Sequence, residues 1–214
     1  MNKIAFITGA TSGIGQATAL KTAEAGYDLI ITGRRKERLE AMAQKIRKKG
    51  VEVLPLCFDV RNQQEVHQAV QGLTGKWQNI DVLVNNAGLA VGVTPIQEGI
   101  LDDWERMIDT NVKGLLYITR EVAPLMIRRQ KGHIFNIAST AGKEVYPGGN
   151  VYCATKHAVD ALSKAMRIDM LKDHIKVTNI APGMVETEFS LVRYKGDAEA
   201  AKNVYTGLTP LSNE

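Results

Sequence analysis

Six short apolar runs, each followed by a longer helical stretch, recur along the whole chain, and this alternation constrains the fold more than any other feature. The runs IAFIT, DLIIT, VEVLPLCF, DVLVN, HIFNIA and IKVTNIA are of β type, and the stretches after them are amphipathic. Strands alternating with helices of this length are the pattern of βαβ units feeding a parallel sheet. The pattern predicts strands near 4–9, 28–33, 52–58, 81–85, 133–138 and 175–181, and helices near 13–25, 35–49, 62–75, 102–130 and 149–172. Right-handed crossovers then build an α/β, Rossmann-type, doubly wound parallel sheet in a three-layer αβα arrangement. At 214 residues and 44% hydrophobic the chain suits one such domain with a sizeable core. No linker, fixed-period repeat or composition shift before the tail divides it, so residues 1–214 are expected to form a single domain.

Ligands of doubly wound sheets bind outside the carboxyl ends of the strands, and the informative residues collect there. After the first strand comes TGATSGIG, in which Gly9, Gly13 and Gly15 flank Thr11, Ser12 and Ile14. Glycines allow a tight turn and close approach of backbone to a pyrophosphate, and the helix end that follows offers free N–H groups and a positive dipole. The spacing is G-x-x-x-G-x-G, a variant of the commoner G-x-G-x-x-G, and a glycine turn without a nucleotide is the competing reading. After the second strand, where an NAD site places a carboxylate for the ribose 2′-hydroxyl, stand Arg34 and Arg35. A guanidinium suits a 2′-phosphate, so the pair favours NADP over NAD. Asp59 and Val60 after the third strand can serve an adenine amine and border its ring. Asn86, Ala87 and Gly88 after the fourth allow close approach to a ribose, although an Asn-rich turn without a ligand looks much the same.

Tyr152 and Lys156 are four residues apart on a predicted helix and therefore share one face. An ammonium beside a phenol favours the phenolate and brings its pKa towards working pH. Ser139, thirteen residues before Tyr152 at the end of HIFNIAS, can donate a hydrogen bond to an oxygen gathering negative charge. A tyrosine and a lysine at this spacing are more often a plain surface pair, so the chemistry depends on the site around them.

Composition excludes several classes. The net charge of +4 comes from dispersed cations, and the densest cluster, Lys45 to Lys49, falls where a helix ends, as does Arg128 to Lys131. Cations are favourable at helix C-termini, so a nucleic-acid stripe is not indicated. Cys57 and Cys153 form neither a disulfide framework nor a metal-ligand set and read as free thiols of a reducing, cytoplasmic compartment. The N-terminus resembles a buried strand more than a signal peptide, and no apolar run approaches the ~18 residues of a membrane span.

Taken in order, TGATSGIG, NNAG at 85–88, Asn111, Ser139, the Y-x-x-x-K of Tyr152 to Lys156 and PG at 182–183 resemble the short-chain dehydrogenase/reductase family over residues 4 to 209. The resemblance implies a dinucleotide-binding catalytic domain. It implies Tyr152 as general acid and base, Lys156 as the residue that tunes it and holds the nicotinamide ribose, and Ser139 as the carbonyl-orienting donor. By the same resemblance Asn111 fixes a water joining Lys156 to solvent, against the plainer reading of a polar residue satisfied within its helix. Pro182, Gly183, Met184, Val185 and Thr187 look like the lid over the cofactor. Further stretches, among them TGRRKERL, DDWERMIDTNVKG and TEFSLVRYKGD, resemble the NADP-dependent 3-hydroxy acid dehydrogenases that oxidise L-serine and L-allo-threonine. A substrate of that class carries a carboxylate, for which Arg193 is the first candidate and Lys143 a weaker one. A broad carbonyl or 3-oxoacyl reductase and a non-catalytic NADP sensor remain the alternatives. Members usually continue past a segment like GLTPLSNE into another helix and a seventh strand. The chain is therefore expected to be truncated at that end, and the resemblance implies a homotetramer.

Overall fold

The computed structural model describes residues 2–207 and 209–212. Six parallel strands, β1 (Ile4–Ile7), β2 (Asp28–Gly33), β3 (Val53–Cys57), β4 (Ile80–Asn85), β5 (Gly132–Ile137) and β6 (Ile175–Ile180), form one sheet in the order β3-β2-β1-β4-β5-β6. The order reverses between β1 and β4, so the crevice of the doubly wound fold opens at their carboxyl ends.

The central strands β1 and β2 are buried along their whole length because both faces of the sheet are covered there. In β1, Ile4 and Phe6 point into one core with Ile30, Leu83, Ile118, Met126 and Ile134, while Ala5 and Ile7 point into the other with Leu29, Ile31, Leu39 and Ile46. Helices α1 (Gly13–Glu24) and α2 (Lys36–Arg47) cover the second face; α3 (Gln63–Gln71), α5 (Leu115–Arg128) and α6 (Asn150–Asp169) cover the first. Pro55 sits in β3, where the missing N–H is harmless because β3 pairs only with β2.

The predicted elements are all present, with three differences of physical interest. The first strand stops at Ile7, since Thr8 turns its hydroxyl to the Val84 carbonyl (3.3 Å) and Gly9 takes φ +67°. The helix expected over 102–130 is three segments: α4 (Leu101–Ile108), a π-helical stretch over Asp109–Gly114, and α5. Beyond β6, where only a lid was expected, two short helices form, α7 (Phe189–Arg193) and α8 (Ala198–Asn203).

Candidate active site

One cavity of about 530 Å³ runs along the carboxyl ends of the strands, within the usual range for a cofactor or substrate site. Of the residues singled out in the sequence, every one but Gly15, Asn111 and Lys143 lies on its wall.

The glycine turn forms the floor at one end. Gly9 (φ +67°) and Gly13 (φ +52°) hold conformations that L side chains rarely adopt. Gly15 lies behind the wall, and a Cβ there would collide with Asn86 Nδ2 and the Gly9 carbonyl. Asn86 Nδ2 itself donates to the Thr8 and Gly9 carbonyls (2.9 and 3.2 Å), which locks the β4 turn to the β1 turn. Ser12 is at the N-cap of α1, yet its side chain does not cap the helix. The first-turn N–H groups are thus free for an anion. The Ser12 hydroxyl accepts from Arg35 Nη2 (3.2 Å), as does Thr11 Oγ1 (3.3 Å), so the second arginine is drawn to the lip of the phosphate turn. Arg34 lies on the other side, 3.5 Å from Asp59. Asp59 is also held by Arg61 through contacts of 2.7 to 3.2 Å, and these cations keep its carboxyl below the ordinary value despite burial. Glu65 in turn accepts from the Asp59 backbone N–H (2.9 Å) and fixes the turn that carries Val60. The cradle fits a phosphorylated dinucleotide on its own geometry: an uncapped helix end, glycines where a side chain would intrude, and two guanidinium groups at the lip.

At the other end the helix α6 carries Tyr152 and Lys156 on its inward face, both buried. Ser139, at the end of β5, accepts from the Ala141 N–H (3.1 Å) and faces the phenol. Burial pushes the Tyr152 phenol up, and the Ser139 hydroxyl and the Arg193 guanidinium pull it part of the way back. Lys156 behaves differently from the sequence expectation. Its ammonium donates to the Ile137 carbonyl (2.9 Å) and stands 5.8 Å from the centre of the Tyr152 ring, and burial lowers its own pKa to about 8. In this structure the two groups are neighbours without a direct bond, and the phenol is not held low. Both lysine and amide crowd Gly88: a Cβ there would stand 3.3 Å from Asn111 Oδ1 and 3.6 Å from Lys156 Nζ.

Asn111 occupies the π-helical stretch, a form that recurs at functional sites. Its amide accepts from the Leu89 N–H (2.8 Å) and donates to the Leu89 carbonyl (2.8 Å) and to Thr155 Oγ1 (3.0 Å). The side chain therefore ties the loop after Gly88 to α6, with partners outside its own helix rather than within it as the plainer sequence reading had it.

The lid closes the cavity from above. Thr140 N–H bonds the Pro182 carbonyl (3.0 Å), Val185 pairs with Leu211 in a parallel bridge, and the Thr187 side chain lies over Gly13, 3.3 Å from the site of a Cβ there. Glu188 reaches Arg35 (3.3 Å) and Arg38 (2.8 Å), joining the lid to α2. Phe189 lies against Tyr152, with ring centres 5.7 Å apart. From the end of α7, Arg193 inserts its guanidinium 5.0 Å from the centre of the Tyr146 ring and 6.0 Å from that of Tyr152. Lys143, the weaker cation candidate, is turned away into an ion pair with Asp160 (2.7 Å). Sequence reasoning missed Tyr146, Phe189, Arg38 and Glu188. No local signal marked them, because each is defined by a partner far away in the sequence.

A doubly wound sheet, an uncapped glycine turn and a Ser-Tyr-Lys set, with the tyrosine and lysine buried, at one crevice define a dinucleotide-dependent dehydrogenase. The chain belongs to the short chain dehydrogenase family, whose model matches residues 3–196. It is 48% identical over 212 residues to the NADP-dependent 3-hydroxy acid dehydrogenase YdfG of Salmonella typhi, covering 99% of this chain and 84% of that protein. It is 44% identical to the serine 3-dehydrogenase of Agrobacterium fabrum (strain C58), with the same coverage. Among solved structures, the closed form of serine dehydrogenase complexed with NADP+ superposes with a TM-score of 0.93 at 45% identity, covering 99% of this chain and 84% of that one. No helix among the described residues is long and apolar enough to cross a membrane, and none of their acidic, His and Cys side chains cluster as a metal set.

Proposed function

We propose that this protein is an NADP-dependent oxidoreductase that interconverts a 3-hydroxy acid, such as L-serine or L-allo-threonine, and its 3-oxo form. The observation that carries the reading is Arg193, a cation set beside Tyr152 in the same cavity as the glycine turn and the arginine pair. When bound, NADP supplies or accepts the hydride. Gly13, Ile14, Thr11 and Ser12 hold its diphosphate side, Arg34 and Arg35 its 2′-phosphate, Asp59 and Val60 its adenine, and Asn86, Ala87 and Gly88 its ribose. Pro182, Gly183, Val185 and Thr187 cover it.

The protein's own groups handle the proton. Tyr152 donates its phenolic proton to the carbonyl oxygen in reduction and removes the hydroxyl proton in oxidation. Ser139 orients that oxygen. Lys156 binds the ribose hydroxyls beside Gly88, and Asn111 holds the wall against which it does so. Arg193 binds the substrate's carboxylate, which puts the 3-carbon next to Tyr152. A carboxylate partner here argues against an uncharged ketone as the main substrate. The names of the relatives support the substrate class and the cofactor. Exposed Ile108, Leu116, Ile168 and Leu171 support a homo-oligomer, and free Cys57 and Cys153 support a reducing, cytoplasmic setting.

Tyr152→Phe is expected to lower turnover by about 10²–10⁴ through loss of acid–base catalysis, with NADPH binding by fluorescence titration retained. Unchanged turnover would remove the proposal. Serine and 3-hydroxypropanoate assayed against uncharged and thioester-linked ketones, with NADP and with NAD, test the substrate class and the arginine pair together.

A further inference from the structure

We propose that Tyr146 is a specificity-determining residue of this site, its hydroxyl forming with the Arg193 guanidinium a two-part receptor for the free carboxylate of the substrate. The inference rests on the reading of Arg193 given above and adds a second group to it.

Arg193 Nη2 donates to the Tyr146 hydroxyl oxygen at 2.7 Å. That bond uses a lone pair of the phenol and leaves its O–H proton free to be donated. Burial pushes the Tyr146 phenol up to about 12, and the nearby guanidinium only partly offsets this, so the group stays a neutral donor across the working pH range. The guanidinium is likewise incompletely used: its Nε is buried without a hydrogen-bond partner among the described residues. A buried donor with no partner is costly, and a carboxylate beside it recovers that cost. Cation and neutral O–H together offer donors to both oxygens of one carboxylate.

The position of the pair is set by packing. Tyr146 lies flat on Gly149, where a Cβ would run into its ring, just before the first turn of α6. The Arg193 carbonyl accepts from the Gly92 N–H (2.9 Å), which anchors the end of α7 on the opposite wall. The guanidinium is thus held between Tyr146 and Tyr152, 5.0 and 6.0 Å from their ring centres. In the proposed pose the carboxylate is held beside the first ring and the 3-oxygen of the acid faces the second. A methyl ester of the same acid has lost the charge that the pair recognises.

Tyr146→Phe keeps the ring on Gly149 and removes only the hydroxyl. The expected result is a rise of about tenfold in KM for 3-hydroxypropanoate, with kcat changed less than about twofold, and a loss of less than about threefold in kcat/KM for methyl 3-hydroxypropanoate, whose ester carbonyl accepts only a weaker, uncharged bond. NADPH titration of the same variant is expected to match the parent. An equal loss on acid and ester, or no change in KM for the acid, overturns the role of Tyr146. Arg193→Ala, run beside it, reads the underlying assignment. If it raises KM for the acid while Tyr146→Phe does not, only the two-part receptor fails; if it leaves KM unchanged, the carboxylate site itself fails.

Discussion

Replacing Lys156 by Met should stabilise the cofactor-free protein at neutral pH while abolishing its turnover, and the size of the effect follows from burial. Lys156 is 6% exposed and has no anionic partner among the described residues; burial takes its pKa from the ordinary 10.5 to about 8. At ~1.36 kcal/mol per pH unit, that fall costs the folded state about 3 kcal/mol well below pH 8. The sign follows from proton counts. Between pH 8 and 10.5 the unfolded chain binds more protons than the native one at this position, so this cost is present in full below pH 8 and fades as the pH rises towards 10.5. Worked through, it is about 3 kcal/mol at about pH 6.5 and about 1 kcal/mol at about pH 9.5. Met fills similar volume without charge, but leaves the Ile137 carbonyl without its 2.9 Å donor, a loss of about 1–3 kcal/mol. The variant's absolute stability therefore depends on two opposed terms. Its difference from the parent does not: urea unfolding at the two pH values should show that difference shrinking by about 2 kcal/mol on going from about pH 6.5 to about pH 9.5. A difference independent of pH, or a Lys156 amine titrating near 10.5 by NMR, refutes the reasoning.

Arg35→Ala should raise KM for NADP by about 10–100-fold and leave KM for NAD within about twofold, since it removes a charge-assisted phosphate contact that NAD lacks. Equal effects on the two coenzymes would show Arg35 to be a structural contact of Thr11, Ser12 and Glu188 only. Gly15→Ala drives a methyl into Asn86 Nδ2 and the Gly9 carbonyl, and should cost about 1–3 kcal/mol in urea unfolding together with a weakened NADPH titration. Parental stability in that variant would mean the turn yields without strain.

The sheet was legible because its signal is repeated: six apolar runs bounded by turns permit few topologies once crossovers are right-handed. The cofactor end was legible for a related reason, since glycine positions and strand-end charges act locally, within a few residues of the backbone that uses them. Asn111 marks the boundary. Its sequence context reads as uninterrupted helix, yet the backbone takes a π-helical form there, and the partners of its amide, the Leu89 N–H and carbonyl, lie 22 residues away. Tyr146 and Glu188 were illegible on the same grounds. Each acquires meaning from a partner 47 or 150 residues distant, brought near only when the lid is in place.

That division has a consequence for how the site works. Glycine turn, Ser139, Tyr152 and Lys156 stand on the ends of sheet strands and on α6, and their positions are set by the core. Arg193 and Phe189 stand on α7, a helix of five residues with only Ser190 buried, and Glu188 is its N-cap; the segment is joined to the body by the Arg35 and Arg38 pairs, by Tyr146 and by the Gly92 bond. Pairs as exposed as these ion pairs contribute little stability each, about 0–1 kcal/mol. Tyr152, Ser139 and Lys156 are thus placed by the core, whereas Arg193, the proposed carboxylate ligand, rides on a wall held largely by exposed contacts. Under that proposal, any closure of this wall on substrate forms the carboxylate contact at the same step that shields Tyr152 from water.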